Sequence, residues 1–444
     1  MSAAPAEQLG QAQAPYLGAA EAARRIARGE LSAQALAEAC VARATAHEAQ
    51  LHAWAHFVPQ AVIAQARALD AQTTPKGVLH GVPVAVKDIL DTADMPSRYG
   101  SPIYAQHQPL ADASCVAQSR AAGAVVMGKT HTTEFASIHP APTANPHRAG
   151  HTPGGSSSGS AAAVADFQVP LAFATQTAGS TIRPAAFCGV VGYKPSFNRI
   201  NRAGLKFSSE SLDTIGLLAR HVEDVSLWAQ ALIGQAPAAV PAAPLRVGLH
   251  RTALWGQASD AAQQALLDAA QRLTAAGASV IDVNLGGDFT TLYEAQGVVM
   301  RYETARATAW EMAHRRRQLS GEFLLRLEQG WATPHGQYLD ALDLARHCSA
   351  QLVDSWQSCD VLLSLSAPGE APQGLHSTGD SVFNRNWTLL GLPCVHLPTA
   401  AGPHGLPLGV QLIGPLGADV ALLGAALWAE SVLAPHYPMR DHLR

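Results

Sequence analysis

Apolar positions recur at helical spacing three times early in the chain, around residues 17–29, 32–48 and 58–72. Ser32 stands where the second of these segments needs an N-cap. The pattern then changes. The run VPVAVKDIL, from Val82 to Leu90, is nearly all apolar and reads as a buried strand carrying one lysine. A helix over 113–122 and a strand over Ala124–Met127 follow, and a proline- and glycine-rich loop occupies residues 139–155. Leu171–Thr177 reads as a second buried strand, and Thr181–Phe187 as the start of a helix with Pro184 in its first turn. Farther on, PLRVGL and ASVIDVNL read as strands flanking a helix over Asp260–Ala275, and residues 291–356 are mostly helical in pattern. Cys359–Ser364, Leu392–Leu397 and GVQLIG read as strands, and Ala418–Val432 as a closing helix.

This alternation predicts an α/β fold, a single large domain whose central β-sheet is covered by helices on both faces. PAAVPAAP (237–244) is the strongest linker signal, yet strands resume beyond it, so it reads as a surface connection within one domain. Residues 1–14 are expected to be a mobile segment and 15–444 the folded domain.

Composition narrows the class of protein. The chain has 444 residues, 48% hydrophobic and only 14% charged, enough for a large core. A formal net charge of −4 gives no field that would draw it to nucleic acid or an anionic membrane. The short basic run His314–Arg317 reads as a solvated helix face. Six scattered cysteines lack C-x-x-C spacing, which argues against a disulfide framework or structural zinc and fits a reducing cytoplasm. The N-terminus lacks the pattern of a secretory signal, and no apolar run reaches the roughly 20 residues of a membrane span. A soluble, cytoplasmic protein is expected.

Three motifs fail on context. GAVVMGKT (123–130) matches a phosphate loop letter for letter, but a strand would run through the supposed loop. GSSSG (155–159) matches a nucleophile elbow, but no strand leads into it. His131, His139, His147 and His151 lack metal-ligand spacing on any helix and read as loop and surface residues.

The chemistry concentrates in two serine-glycine turns. Ser156 follows Gly154-Gly155, ahead of the helical SAAAVA, and Ser180 lies at a strand-to-helix turn after Ala178-Gly179. Main-chain amides around 177–180 converge near a helix N-terminus, where they would stabilise an oxyanion. A serine nucleophile needs a base, and no histidine is placed for it. Lys87 is the unusual candidate, because burial lowers a lysine pKa and yields a neutral amine able to accept a proton. Its other reading is structural, paired with Asp88 or Asp91.

Five segments together resemble the amidase signature family. These are GVPVAVKDILDTADMPSRYGS, GKTHTTEFA, TPGGSSSGSAAAVA, SLDTIGLLARHVEDV and NWTLLGLPCVHLP with GLPLGVQLIG. The resemblance is strong over residues 80–230, moderate over 355–415, and says little for 285–350. It implies a mixed central sheet and a Lys–Ser–Ser triad with Lys87 as base, Ser156 as relay and Ser180 as nucleophile. It further implies a cis Gly155–Ser156 peptide bond and an oxyanion hole from the amides of Thr177, Ala178, Gly179 and Ser180. The partner implied is a small-molecule amide, with no cofactor or metal, and with a homo-oligomer left open.

Two positions depart from the family. Gln176 stands where an aspartate is common, and Arg183 lies three residues after the nucleophile instead of two. QTAGSTIRPAA thereby resembles the malonamidase branch more than the tRNA-dependent amidotransferase A subunits, which hydrolyse glutamine. Arg183 would either bind a substrate carboxylate, as in malonamate, or tie the helix start to a carboxylate such as Asp213. Substrate identity is expected to reside in 285–350, where Arg301, Tyr302 and Trp310 are the pocket candidates.

Overall fold

Bulky and small residues alternate along the central strands, and this alternation sorts the two faces of the sheet. Val84 and Val86 join one apolar cluster with Leu171 and Phe173, while Ala85 joins another with Ala172 and Ala174. The computed structural model describes residues 13–234 and 236–434. Among them, eleven strands form one mixed sheet: β1 (Trp54–Phe57), β2 (Pro83–Lys87), β3 (Val125–Thr130), β4 (Leu171–Gln176), β5 (Val191–Lys194), β6 (Thr214–Ala219), β7 (Arg246–Leu249), β8 (Ser279–Asp282), β9 (Val361–Leu365), β10 (Cys394–Ala401) and β11 (Pro407–Ile413). Their spatial order is β1-β3-β2-β4-β6-β5-β10-β11-β9-β7-β8. The β2/β3, β2/β4, β7/β8 and β7/β9 pairs are parallel, and the others are antiparallel. The expected α/β architecture, a single large domain with helices on both faces of a mixed sheet, is the one observed.

The alanine-lined face has a specific occupant. The helix Ser158–Ala165, SGSAAAVA, is buried at all eight positions and packs there against β4. Small side chains on both surfaces let helix and sheet approach closely. At Gly159 an added Cβ would lie 2.1 Å from the Ala53 carbonyl oxygen, so no larger residue fits.

Most expected elements are present with shifted ends. The first three helices span Ala19–Ala27, Ala33–Leu51 and Pro59–Asp70, and Ser32 accepts from the Ala35 N–H as an N-cap. The helix Asp260–Ala275 has the expected bounds. Strands β1, β5 and β6 and the helix Val222–Ile233 are additions to the expected elements. The segment 236–244 is largely exposed and leads into β7 of the same sheet. Of the N-terminal segment, residues 1–12 lie outside the described residues, while Ala14 is buried and opens the short helix Ala14–Tyr16. Residues 285–350 form the helices Leu292–Ala307, Ala309–His314, Gly321–Ala332 and the start of His335–Ser358. No helix among the described residues is long and apolar enough to cross a membrane.

Candidate active site

Because β2 and β4 are parallel neighbours, their C-terminal ends open on the same edge of the sheet. Lys87 is the last residue of β2 and is fully buried. Its Nζ lies 2.7 Å from Ser156 Oγ and 2.7 Å from Thr175 Oγ1 on β4. Neither aspartate considered as a structural partner takes it. Asp88 pairs with Lys129, at 3.1 Å, and Asp91 accepts from the Tyr99 hydroxyl. Lys129 belongs to the GAVVMGKT stretch, which is strand β3 and not a loop. Burial drives the Lys87 pKa well below its ordinary value; Asp213 opposes this and Arg183 adds to it. Two hydroxyl partners and no contacting carboxylate leave Lys87 able to exist as a neutral amine.

Ser156 is 1% exposed and precedes the buried helix 158–165. The turn before it requires glycine: Gly154 has φ +82°, and a Cβ there would lie 2.8 Å from Pro184 Cα. The Gly155–Ser156 peptide bond is cis. The neighbouring Ser157 joins the two serine turns, donating from Oγ to the Ser180 carbonyl oxygen at 2.5 Å and accepting from the Thr175 N–H at 3.3 Å.

Ser180 lies between β4 and the helix Ile182–Cys188. Among the described residues its hydroxyl makes no hydrogen bond, and none joins it to Ser156 Oγ; it faces a cavity of about 440 Å³. The N–H groups of Ala178, Gly179 and Ser180 likewise make no hydrogen bond among the described residues. Gln176 explains how the turn holds its shape. Its Oε1 accepts the N–H groups of Thr181 and Ile182, both at 3.0 Å, and caps the helix start. Its Nε2 donates to Thr388 Oγ1, which donates in turn to the Ala178 carbonyl oxygen at 2.7 Å. An aspartate lacks that donor. Thr177 is held from both sides, its hydroxyl donating to Asp213 and its carbonyl accepting from Gln296 Nε2 at 2.8 Å.

Arg183 lines the cavity at 7% exposure, but its terminal nitrogens are already engaged. Nη1 donates to the Gly379 carbonyl at 2.7 Å, and Nη2 to the Gly155 carbonyl at 2.5 Å and Thr378 Oγ1 at 3.1 Å. Burial pushes its pKa down to about 10. Asp213 is not its partner; that carboxylate takes Thr177 and the N–H groups of Ser208 and Ser209.

The residues named earlier in 285–350 fall elsewhere. Arg301 donates to Thr333, Tyr302 stacks on Tyr338 in a separate groove, and Trp310 is exposed beneath Arg315. The cavity instead receives Met300 and Arg326 from this region, and Arg385 from the following one. Each sits singly on a helix, so no local motif marks them. Among the described residues no group of three or more His, Cys, Asp or Glu is arranged to hold a metal.

The amidase family pattern matches residues 35–423. The chain belongs to the amidase family. It is an amide hydrolase acting on carbon–nitrogen bonds. Sequence relatives include the glutamyl-tRNA(Gln) amidotransferase A subunits of Solidesulfovibrio magneticus and Thermus thermophilus. Each is 33% identical, with 93% and 95% of this chain and 96% and 97% of the relative covered. Similar solved structures include an amidase (30% identity, TM-score 0.87, 94% of this chain and 100% of that one). The peptide amidase of Stenotrophomonas maltophilia is also similar (27% identity, TM-score 0.79, 96% and 100% covered). These likenesses establish amidase chemistry and fold for the chain.

Proposed function

We propose that this amidase hydrolyses a small carboxamide through an acyl-enzyme on Ser180. Ser180 Oγ attacks the amide carbonyl while its proton passes to Ser156, and Ser156 gives its own proton to neutral Lys87. The N–H groups of Thr177, Ala178, Gly179 and Ser180 take the oxyanion. The relay then protonates the departing nitrogen, ammonia leaves, and water cleaves the acyl ester by the same path in reverse. The observation that carries this reading is Lys87, fully buried against two hydroxyls with no carboxylate in contact. Ser156 supplies one of those hydroxyls, and its neighbour Ser157 holds the Ser180 carbonyl oxygen.

The preferred substrate in this reading is a carboxylate-bearing amide of the malonamate type, handled by a malonamidase-like enzyme working alone or as a homo-oligomer in the cytoplasm. Arg183 acts as a positioning residue that fixes the Gly155 carbonyl and the 378–379 segment. The second reading is a glutamine-hydrolysing subunit of a tRNA-dependent amidotransferase, favoured by the names of the sequence relatives. Gln176, Arg183 and the net charge of −4 favour the first. Ammonia release from malonamate, malonamide, glutamine and an aryl amide, with Ser180→Ala as blank, separates the two. Turnover of malonamate by the chain alone supports the first reading. Turnover of glutamine alone, rising on addition of partner subunits, supports the second.

A further inference from the structure

Three guanidinium groups converge on the cavity before Ser180, those of Arg183, Arg326 and Arg385. Two carboxylates share the lining, and neither neutralises Arg326. Glu322 is exposed and faces His139 at 4.0 Å, while Asp380 stands 4.0 Å from Arg385. Arg385 is held in place, its Nε donating to Ser381 Oγ at 3.2 Å and its guanidinium lying over the Tyr293 ring at 4.2 Å. Arg326, on the helix Gly321–Ala332, is half-buried and has no hydrogen bond or ion pair among the described residues. Burial and the charge of Arg385 both lower its pKa, so its charge is desolvated and repelled with nothing opposite it.

We propose that Arg326 and Arg385 form a specificity subsite for a carboxylate carried by the amide substrate. The inference rests on the Ser180 reading and adds the residues that select the substrate. A planar guanidinium with all its donors free suits a carboxylate, which accepts two parallel N–H bonds. Arg183 cannot do this equally well, because three of its donors already serve protein acceptors. The cavity volume of about 440 Å³ suits a small substrate whose amide reaches Ser180 while its carboxylate reaches the arginines.

The test compares kcat/KM for malonamate and neutral malonamide in the wild type, Arg326→Gln, Arg326→Lys and Arg385→Gln. It also measures the melting shift that malonate produces in each protein. The expected result is a wild-type preference for malonamate that falls at least tenfold in Arg326→Gln, chiefly through KM, and partly returns in Arg326→Lys. Arg385→Gln weakens the preference in the same direction. A preference near one in the wild type, or one unchanged in both glutamine variants, overturns the proposal. If the wild type cleaves neither amide, the reading as a malonamate hydrolase working alone fails and the melting shifts decide the subsite. A malonate shift present in the wild type and lost in Arg326→Gln supports it, and an absent or unchanged shift overturns it.

Discussion

At the residue scale, the proposed chemistry turns on the protonation of Lys87. Only the neutral amine accepts a proton, and burial lowers its pKa from the ordinary 10.5. The neutral fraction therefore grows as pH rises through the lowered value, and kcat/KM follows with an acid limb well below pH 10.5. A pH–rate profile checks this; a limb near the ordinary lysine value contradicts it. Between the lowered and the ordinary value the unfolded chain binds more protons than the folded one, so this group makes stability climb with pH across that window. Lys87→Met is expected to flatten that climb and to lower activity by about a thousandfold or more. The residues of this site were legible because each stands in a turn or strand with its own local signal. Lys87 interrupts an apolar run, and the serines follow glycines. Its burial was legible too, and the resemblance named Ser156 beside it, but the true partner of Asp88 was not, because Lys129 claims that carboxylate only through the pairing of β2 with β3. Arg326 and Arg385 were missed because a cationic residue on a helix looks the same from sequence whether it faces solvent or a cavity.

At the element scale, the nucleophile's turn is fixed by side chains borrowed from distant segments. Gln176 satisfies two N–H groups at the start of the helix 182–188 and reaches Thr388 across more than two hundred residues of chain. Gln176→Ala leaves those buried amides unpaired and is expected to cost about 1–3 kcal/mol, measurable by chemical denaturation. Gln176→Glu keeps the acceptor and loses the donor to Thr388, so it should retain more stability than the alanine variant. Gly179 is constrained differently. A Cβ there would lie 2.5 Å from Asn384 Oδ1 and 2.7 Å from Ser381 Cβ, so Gly179→Ala must displace the turn. Steady-state kinetics should show kcat reduced by about a hundredfold, the scale of a 1 Å misplacement of reacting groups. Strands β2 and β4 were readable as uninterrupted apolar runs. The four-residue strands β1 and β5 were not; β7 and β8 are equally short but were readable from the longer apolar runs PLRVGL and ASVIDVNL around them.

At the scale of the whole molecule, the sheet order explains why residues far apart in sequence meet. Parallel β2 and β4 bring Lys87 and Thr175 to one edge, and the turn leading into the buried alanine-rich helix carries Ser156 to them. Strand–helix alternation was enough to expect a single covered sheet, but not its order, which depends on crossovers that leave no local trace. The helices of 285–350 had the expected type, while the side chains they contribute to the cavity followed from their packing and not from their periodicity. The central claim is that amide cleavage proceeds through an ester on Ser180. Its most direct test is mass spectrometry of the enzyme acid-quenched during turnover of a cleaved amide from the panel. The account predicts an acyl adduct on the peptide carrying Ser180, with adduct and ammonia release both lost in Ser180→Ala. Undiminished ammonia release by Ser180→Ala, or an adduct on another residue, would contradict it.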